Sequence, residues 1–195
     1  RDPSSFPGHA NYELVKQMRA SVLSAGPMLA RWGRAVVSLP GGCAIGLRPI
    51  DIHLNGFKAM GAKMEVRQGD LLLVAPRGGL KPCHYRLNFA SVGATENLLL
   101  AAALIKGTTI LEGAALEPEI MDLASMLGKM GAVIGGVGTG KIAITGTGAL
   151  RGARHTVIAD RIETGTFVIF ASCVPGSRVE IADCAPEHNR ALAQA

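Results

Sequence analysis

Apolar residues recur along this chain with two periods, one helical and one alternating, and the switches between them mark its elements. From Tyr12 to about Arg31, Leu14, Met18 and Val22 fall at four-residue steps, which predicts a helix. Pro27 must kink that helix or start a second one, because its ring removes a donor and clashes one turn back. Gly33 ends the run, and the β-branched stretch 34–39 predicts a strand. A helix is expected next from Pro49, a residue tolerated in a first turn, with Ile50, Leu54, Phe57 and Met60 on one face and Gly61 as its stop. Residues 63–67 and 71–75 flank the turn Gln68-Gly-Asp70 and read as a hairpin. Ser91 is placed to cap a helix running to about Lys106, and after Gly107 a strand is expected over 108–111. Pro118 opens a further helix that turns Ile120, Leu123, Leu127 and Met130 inward and stops at Gly131.

The pattern repeats. Met60-Gly-Ala62 and Met130-Gly-Ala132 lie 70 residues apart, as do Leu80-Lys81 and Leu150-Arg151. Gly107-Thr-Thr-Ile and Gly176-Ser-Arg-Val are 69 apart, each expected between a helix and a strand. One such unit cannot cover its own apolar faces, so copies must pack around a shared core. The expected fold class is α/β by repetition, with helices inside the sheets rather than a doubly wound sheet.

Composition sharpens this. The 195 residues are 48% hydrophobic and only 18% charged, enough for a substantial core. Aromatics make up 4% against 25 glycines, so the core is aliphatic and the turns are tight. The net charge of +5 is scattered, with no aromatics between the basic residues, which argues against nucleic acid and suits small anions. Cys43, Cys83, Cys173 and Cys184 form no C-x-x-C pair and read as reduced thiols of a cytoplasmic protein, the last three as buried ones. The longest clean apolar run, 98–105, is too short to insert in a bilayer. The chain opens on Arg-Asp-Pro and stops at Ala195 inside a helical pattern, so it is expected to be an internal fragment. His53 and His84 read as helix-surface or turn residues, and Glu117 and Glu119 as first-turn acids.

One near-motif is discarded. Gly135-Gly-Val-Gly-Thr-Gly-Lys141 almost spells a phosphate-binding loop, but Ile142 stands where a magnesium-binding Ser or Thr belongs. A strand pattern follows it in place of the helix that would hold phosphate, so it is expected to be a hairpin turn.

The chemistry-bearing stretch is Ser38-Leu-Pro-Gly-Gly-Cys43, continued by Ile45-Gly-x-Arg-Pro-x-Asp51. Three glycines surround the thiol and permit close approach of a ligand to the backbone. The Arg48 guanidinium favours a thiolate or binds an anion.

These segments, with Met18-Arg-Ala-Ser21, Ser91-Val-Gly-Ala-Thr95, Glu117-Pro-Glu-Ile120 and Asp160-Arg-Ile-Glu-Thr-Gly-Thr-Phe167, strongly resemble the UDP-N-acetylglucosamine 1-carboxyvinyltransferases, the enolpyruvyl transferases of peptidoglycan synthesis. The likeness covers nearly the whole chain. It implies an inside-out α/β barrel in two similar halves, residues 1–158 forming most of one half and 159–195 beginning the second. It implies transfer of the enolpyruvyl group of phosphoenolpyruvate to the 3′-hydroxyl of UDP-N-acetylglucosamine, with no cofactor or metal. By the same resemblance Cys43 donates a proton to the methylene carbon and can form a covalent adduct, while Arg48 lies near the phosphoenolpyruvate. Arg48, Pro49, Ile50, Asp51 and Ile52, together with Ser91, Val92 and Gly93, fall where the family contacts the nucleotide sugar. Arg19 matches an arginine of the same anionic site.

Departures accompany the likeness: Gly113 and Leu116 stand where the family usually has polar residues, and Ala90 replaces a common small or proline position before Ser91. The family's N-terminal Lys-Asn pair and its C-terminal half lie outside the 195 residues, so the remaining parts of a longer chain are expected partners. Two alternatives stay open. The sister transferase acting on shikimate 3-phosphate shares the fold but uses no cysteine in that loop. A non-catalytic relic that only binds a UDP-sugar would keep the fold without the chemistry.

Overall fold

The computed structural model describes residues 9–10, 19–38, 50–67 and 69–194. The chain divides into two compact units at Arg154/His155. In the first, β1 (His9–Ala10) precedes a 3-10 helix (Arg19–Ser24), α1 (Ala25–Trp32), β2 (Arg34–Ser38), α2 (Asp51–Ala59), β3 (Lys63–Arg67) and β4 (Asp70–Val74). Then follow β5 (His84–Arg86), α3 (Val92–Ala102), β6 (Gly107–Glu112), α4 (Pro118–Lys129), β7 (Val133–Gly135) and β8 (Lys141–Gly146). Pro27 thus lies in the first turn of a second helix, where its missing N–H is no loss.

The two four-stranded sheets have the same construction. Their orders are β1-β2-β4-β3 and β5-β6-β8-β7, each with one parallel pair followed by two antiparallel ones. The 70-residue repeat reaches individual hydrogen bonds. Lys81 donates its N–H to the Met60 carbonyl at 3.0 Å, and Arg151 does the same to Met130 at 2.9 Å. Both helices before these turns end on a glycine with left-handed backbone, Gly61 at φ 91° and Gly131 at φ 115°. Both predicted hairpins form, and Gly135–Lys141 is the turn between β7 and β8.

Each sheet buries one face. Ala35 and Val37 of β2, Leu71 and Leu73 of β4, and Ile142 and Ile144 of β8 point inward at alternate positions, while Arg34, Val74, Lys141 and Ala143 beside them face solvent. The helices fill the space within. At the centre, α3 carries apolar residues on most of its surface, with Ala94, Leu98, Leu99, Ala101 and Ala102 fully buried and the polar Thr95 and Asn97 buried among them. It packs against α1, α2, α4 and the 3-10 helix. Its end falls at Ala102, four residues short of the expected Lys106. Gly146 of β8 lies directly against the carbonyls of Ala102, Ala103 and Ile105, and the last turn tightens to bonds from Leu104 to Ala101 and from Ile105 to Ala102.

The second unit, His155–Ala195, holds α5 (Arg161–Cys173), a 3-10 helix (Pro186–Asn189) and α6 (Arg190–Ala193). Asp160 caps α5, accepting from the N–H groups of Ile162 (2.7 Å) and Glu163 (3.3 Å), so this stretch is a helix start. The strand expected after Gly176 does not form: Arg178, Val179 and Glu180 are exposed and outside any ladder. In the first unit the corresponding strand pairs with a hairpin strand about 35 residues further on, as β6 pairs with β8.

Candidate site at the ends of two helices

Three of the predicted site segments converge. Asp51 is the first residue of α2, exposed, where a negative charge is favoured by the helix dipole. Ile50 and Ile52 are half-buried and pack against the core. Ser91 caps α3, its Oγ accepting from the Ala94 N–H at 3.3 Å, and Val92 and Gly93 form the first turn. A side chain at Gly93 would start 3.5 Å from His53 Cε1 in α2 and 3.9 Å from Leu23 Cδ2 in the 3-10 helix. The first turns of α2 and α3 therefore pack side by side, next to the 3-10 helix that Arg19 begins. At α3 the Ala94 N–H is taken by Ser91, while α2 begins with no side-chain cap, and a helix N-terminus of that kind suits an anion.

Cys43, Arg48 and Pro49 lie outside the described residues. On the N-terminal side of that stretch, Ser38 is buried and donates to Asp70 Oδ1 at 2.6 Å at the end of the β2–β4 ladder.

The structure adds residues that sequence reasoning missed. His53 is not a surface residue; it is 5% exposed and tied to the equally buried Asn97 of α3. Asn97 Oδ1 accepts from the Gly26 N–H at 2.8 Å, and Nδ2 donates to the Val22 carbonyl at 2.9 Å and to His53 Nδ1 at 3.1 Å. A backbone donor on one side and a carbonyl on the other fix the amide orientation. His53 must then accept at Nδ1 and carry its proton on Nε2. The only signal in the sequence was an asparagine set directly before the apolar run 98–105. Glu96, one turn along α3, is half-buried; burial first, and the Glu119 carboxylate second, push its carboxyl up. The Tyr85 hydroxyl, 3.5 Å from the Ile52 carbonyl, is likewise pushed up, first by burial and then by Asp51 and Cys83.

Of the remaining thiols, Cys83 and Cys184 are half-buried and Cys173 is exposed, contrary to the expectation of three buried ones; Cys173 ends α5, whose apolar surface is largely uncovered. Gly113 adopts φ 68° with the Leu87 carbonyl against it, so the departure there meets a local backbone demand. Among the described residues no cluster of His, Cys, Asp and Glu is arranged to hold a metal, and no helix is long and apolar enough to cross a membrane.

The architecture is that of the enolpyruvyl transferases. The enolpyruvyl transferase NikO from Streptomyces tendae superposes with a TM-score of 0.69 at 26% identity, over 84% of this chain and 39% of that one. An EPSP synthase from Acinetobacter baumannii shares the fold, with a TM-score of 0.58 at 24% identity over 78% of this chain and 34% of its own. Residues 3–195 match the family model of EPSP synthase (3-phosphoshikimate 1-carboxyvinyltransferase), and the chain belongs to that family. Among curated relatives, the UDP-N-acetylglucosamine 1-carboxyvinyltransferase of Rhodospirillum centenum is 54% identical over 95% of this chain and 43% of its own length. That of Dinoroseobacter shibae is 55% identical over 88% of this chain and 40% of its own. The chain thus spans less than half the length of the curated relatives it matches.

Proposed function

We propose that this chain is part of an enzyme that transfers the enolpyruvyl group of phosphoenolpyruvate to the 3′-hydroxyl of UDP-N-acetylglucosamine, releasing phosphate. The observation that carries this is the 54–55% identity with curated enzymes of that name, over 88–95% of the chain. The wider family also contains the shikimate 3-phosphate enzymes, but their resolved likeness here is one of fold, at 24% identity. The Cys43 loop separates the two readings.

The chemistry balances as an addition followed by an elimination. The 3′-hydroxyl gives up its proton to a base as its oxygen bonds to C2 of phosphoenolpyruvate, while C3 gains a proton; the C2–O bond to phosphate then breaks as C3 loses one, and the hydroxyl proton is the net one that leaves with the phosphate. Cys43 supplies the first proton. Arg48 and Arg19 hold anionic groups, and Arg48, Pro49, Ile50, Asp51 and Ile52 with Ser91, Val92 and Gly93 contact the nucleotide sugar. The reading places the enzyme in the cytoplasm, at the start of peptidoglycan synthesis and so upstream of cell shape and division.

The test is product formation by the full-length enzyme with and without Cys43→Ser. General-acid loss is expected to cut kcat by about 10²–10⁴-fold, with the affinity for UDP-N-acetylglucosamine kept. Transfer to shikimate 3-phosphate, or binding of the UDP-sugar with no phosphate release, would overturn the reading in favour of one of its rivals. The 195-residue segment alone is expected to release no phosphate.

A further inference from the structure

We propose that Asn97 is a positioning residue for the nucleotide-sugar platform. From the middle of α3, its single carboxamide holds the segments whose ends make up the candidate site. The proposal rests on the functional reading above.

Asn97 is completely buried, on a helix otherwise built of apolar and small residues on that face. Each of its three hydrogen bonds joins it to a different place: Gly26 in the first turn of α1, Val22 in the 3-10 helix, and His53 in the first turn of α2. All three partners lie 44 to 75 residues away in sequence. An apolar side chain of the same shape would fill the place but strip the Gly26 N–H, the Val22 carbonyl and His53 Nδ1 of this buried partner, at about 1–3 kcal/mol for a group left unsatisfied. What carbon cannot supply is direction. Apolar contacts tolerate sliding, whereas an N–H aimed at a ring nitrogen fixes distance and angle together.

The ring so fixed is the one that touches the site. His53 Cε1 and Nε2 lie 3.5 and 3.8 Å from where a Gly93 side chain would begin. The Asn97–His53 bond therefore sets the gap between Asp51–Ile52 on α2 and Ser91–Gly93 on α3. Through Val22 the same amide holds the 3-10 helix, whose Leu23 borders Gly93 and whose first residue is Arg19. Asn97 acts through these neighbours.

Steady-state kinetics on the full-length enzyme test it. Asn97→Leu keeps the bulk of the side chain but removes its hydrogen bonds. The KM for UDP-N-acetylglucosamine is expected to rise roughly tenfold or more, the scale of a lost directional hydrogen bond, with kcat and the KM for phosphoenolpyruvate little changed. His53→Leu, which spares the bonds to Gly26 and Val22, is expected to raise the same KM. His53→Asn, whose Oδ1 takes the place of Nδ1 and can accept from Asn97, is expected to recover most of that loss. If Asn97→Leu fails to fold, the two His53 variants decide. A wild-type KM in a folded Asn97→Leu or His53→Leu, a loss confined to kcat, or no recovery in His53→Asn would reduce Asn97 to a core polar group and overturn the proposal. A wild-type enzyme that ignores UDP-N-acetylglucosamine would instead sink the functional reading, and this proposal with it.

Discussion

Gly26 and Asn97 meet so closely that a side chain on the glycine would overlap the Asn97 oxygens, while the Gly26 N–H donates to Asn97 Oδ1 at 2.8 Å. This contact is what lets α1 lie against α3. Gly26→Ala would drive a methyl group into a backbone carbonyl, which cannot swing aside, and is expected to cost about 1–3 kcal/mol. Gly128 is the matched control: it lies inside α4, exposed, with nothing near its missing side chain. Gly128→Ala is expected to stabilise by about 0.5–1 kcal/mol, since alanine loses less backbone freedom in a helix. Denaturant unfolding of the two variants in the full-length enzyme should move in opposite directions.

The centre of the core can be separated from its rim in the same way. Leu98 is fully buried in α3 and touches the bare backbone of Gly56 in α2, whereas Val133 opens β7 and is 68% exposed. Leu98→Ala should cost about 2–5 kcal/mol. Val133→Ala should stay within about 0.5 kcal/mol.

Two carboxylates give opposite pH signatures. Glu96 is held up in the folded state, so the fold keeps a proton there that the unfolded chain releases from about pH 4.3 upward. Stability is therefore lost as pH rises through that window, and Glu96→Gln should raise Tm at neutral pH but not in strong acid. Glu112 is held down, first by its bond to Lys141 Nζ (2.9 Å) and then by His84 Nε2 (3.1 Å). Its contribution is present at neutrality and disappears as pH falls below the ordinary carboxylate value. Glu112→Gln should lower Tm slightly at neutral pH, and added salt should shrink the difference, because the group is at the surface.

What could be read from the chain was what neighbours in sequence decide. The hairpins announced themselves by alternation around Gln68-Gly69-Asp70 and Gly135–Gly140, the α3 cap by Ser91, and the matching sheets by motifs 70 residues apart. What could not be read depends on distant partners. A helix apolar on most of its sides carries little direction, so nothing in the α3 sequence says that it is the hub. Its end is set by Gly146, some forty residues on. His53 looks like a solvent-facing polar residue until Asn97, 44 residues away, gives its ring a partner inside. Of the site, Ile50–Ile52 and Ser91–Gly93 were named through the family resemblance, and the fold brings their helix ends together.

The repeat also predicts how α5 behaves. It follows its N-cap as α3 follows Ser91, and Thr164 in its first turn is buried as Thr95 is in α3. Yet where α3 is enclosed, α5 leaves Ile162, Phe167, Ile169 and Phe170 between 48% and 63% exposed. Burying four such side chains is worth about 1.5–3 kcal/mol each, far more than the helix's own caps contribute. A third copy of the repeat is expected to supply that cover in the full-length enzyme. Cys173, exposed at the end of α5, is a reporter, and Cys83 is its internal reference, half-buried with its thiol pushed up by burial. With a thiol-alkylating reagent at neutral pH, Cys173 should react well ahead of Cys83 in the 195-residue segment. In the full-length enzyme Cys173 should slow by at least an order of magnitude while Cys83 stays slow. Equal labelling of Cys173 in the two chains would mean that α5 remains uncovered and that its kinship with α3 stops at the cap.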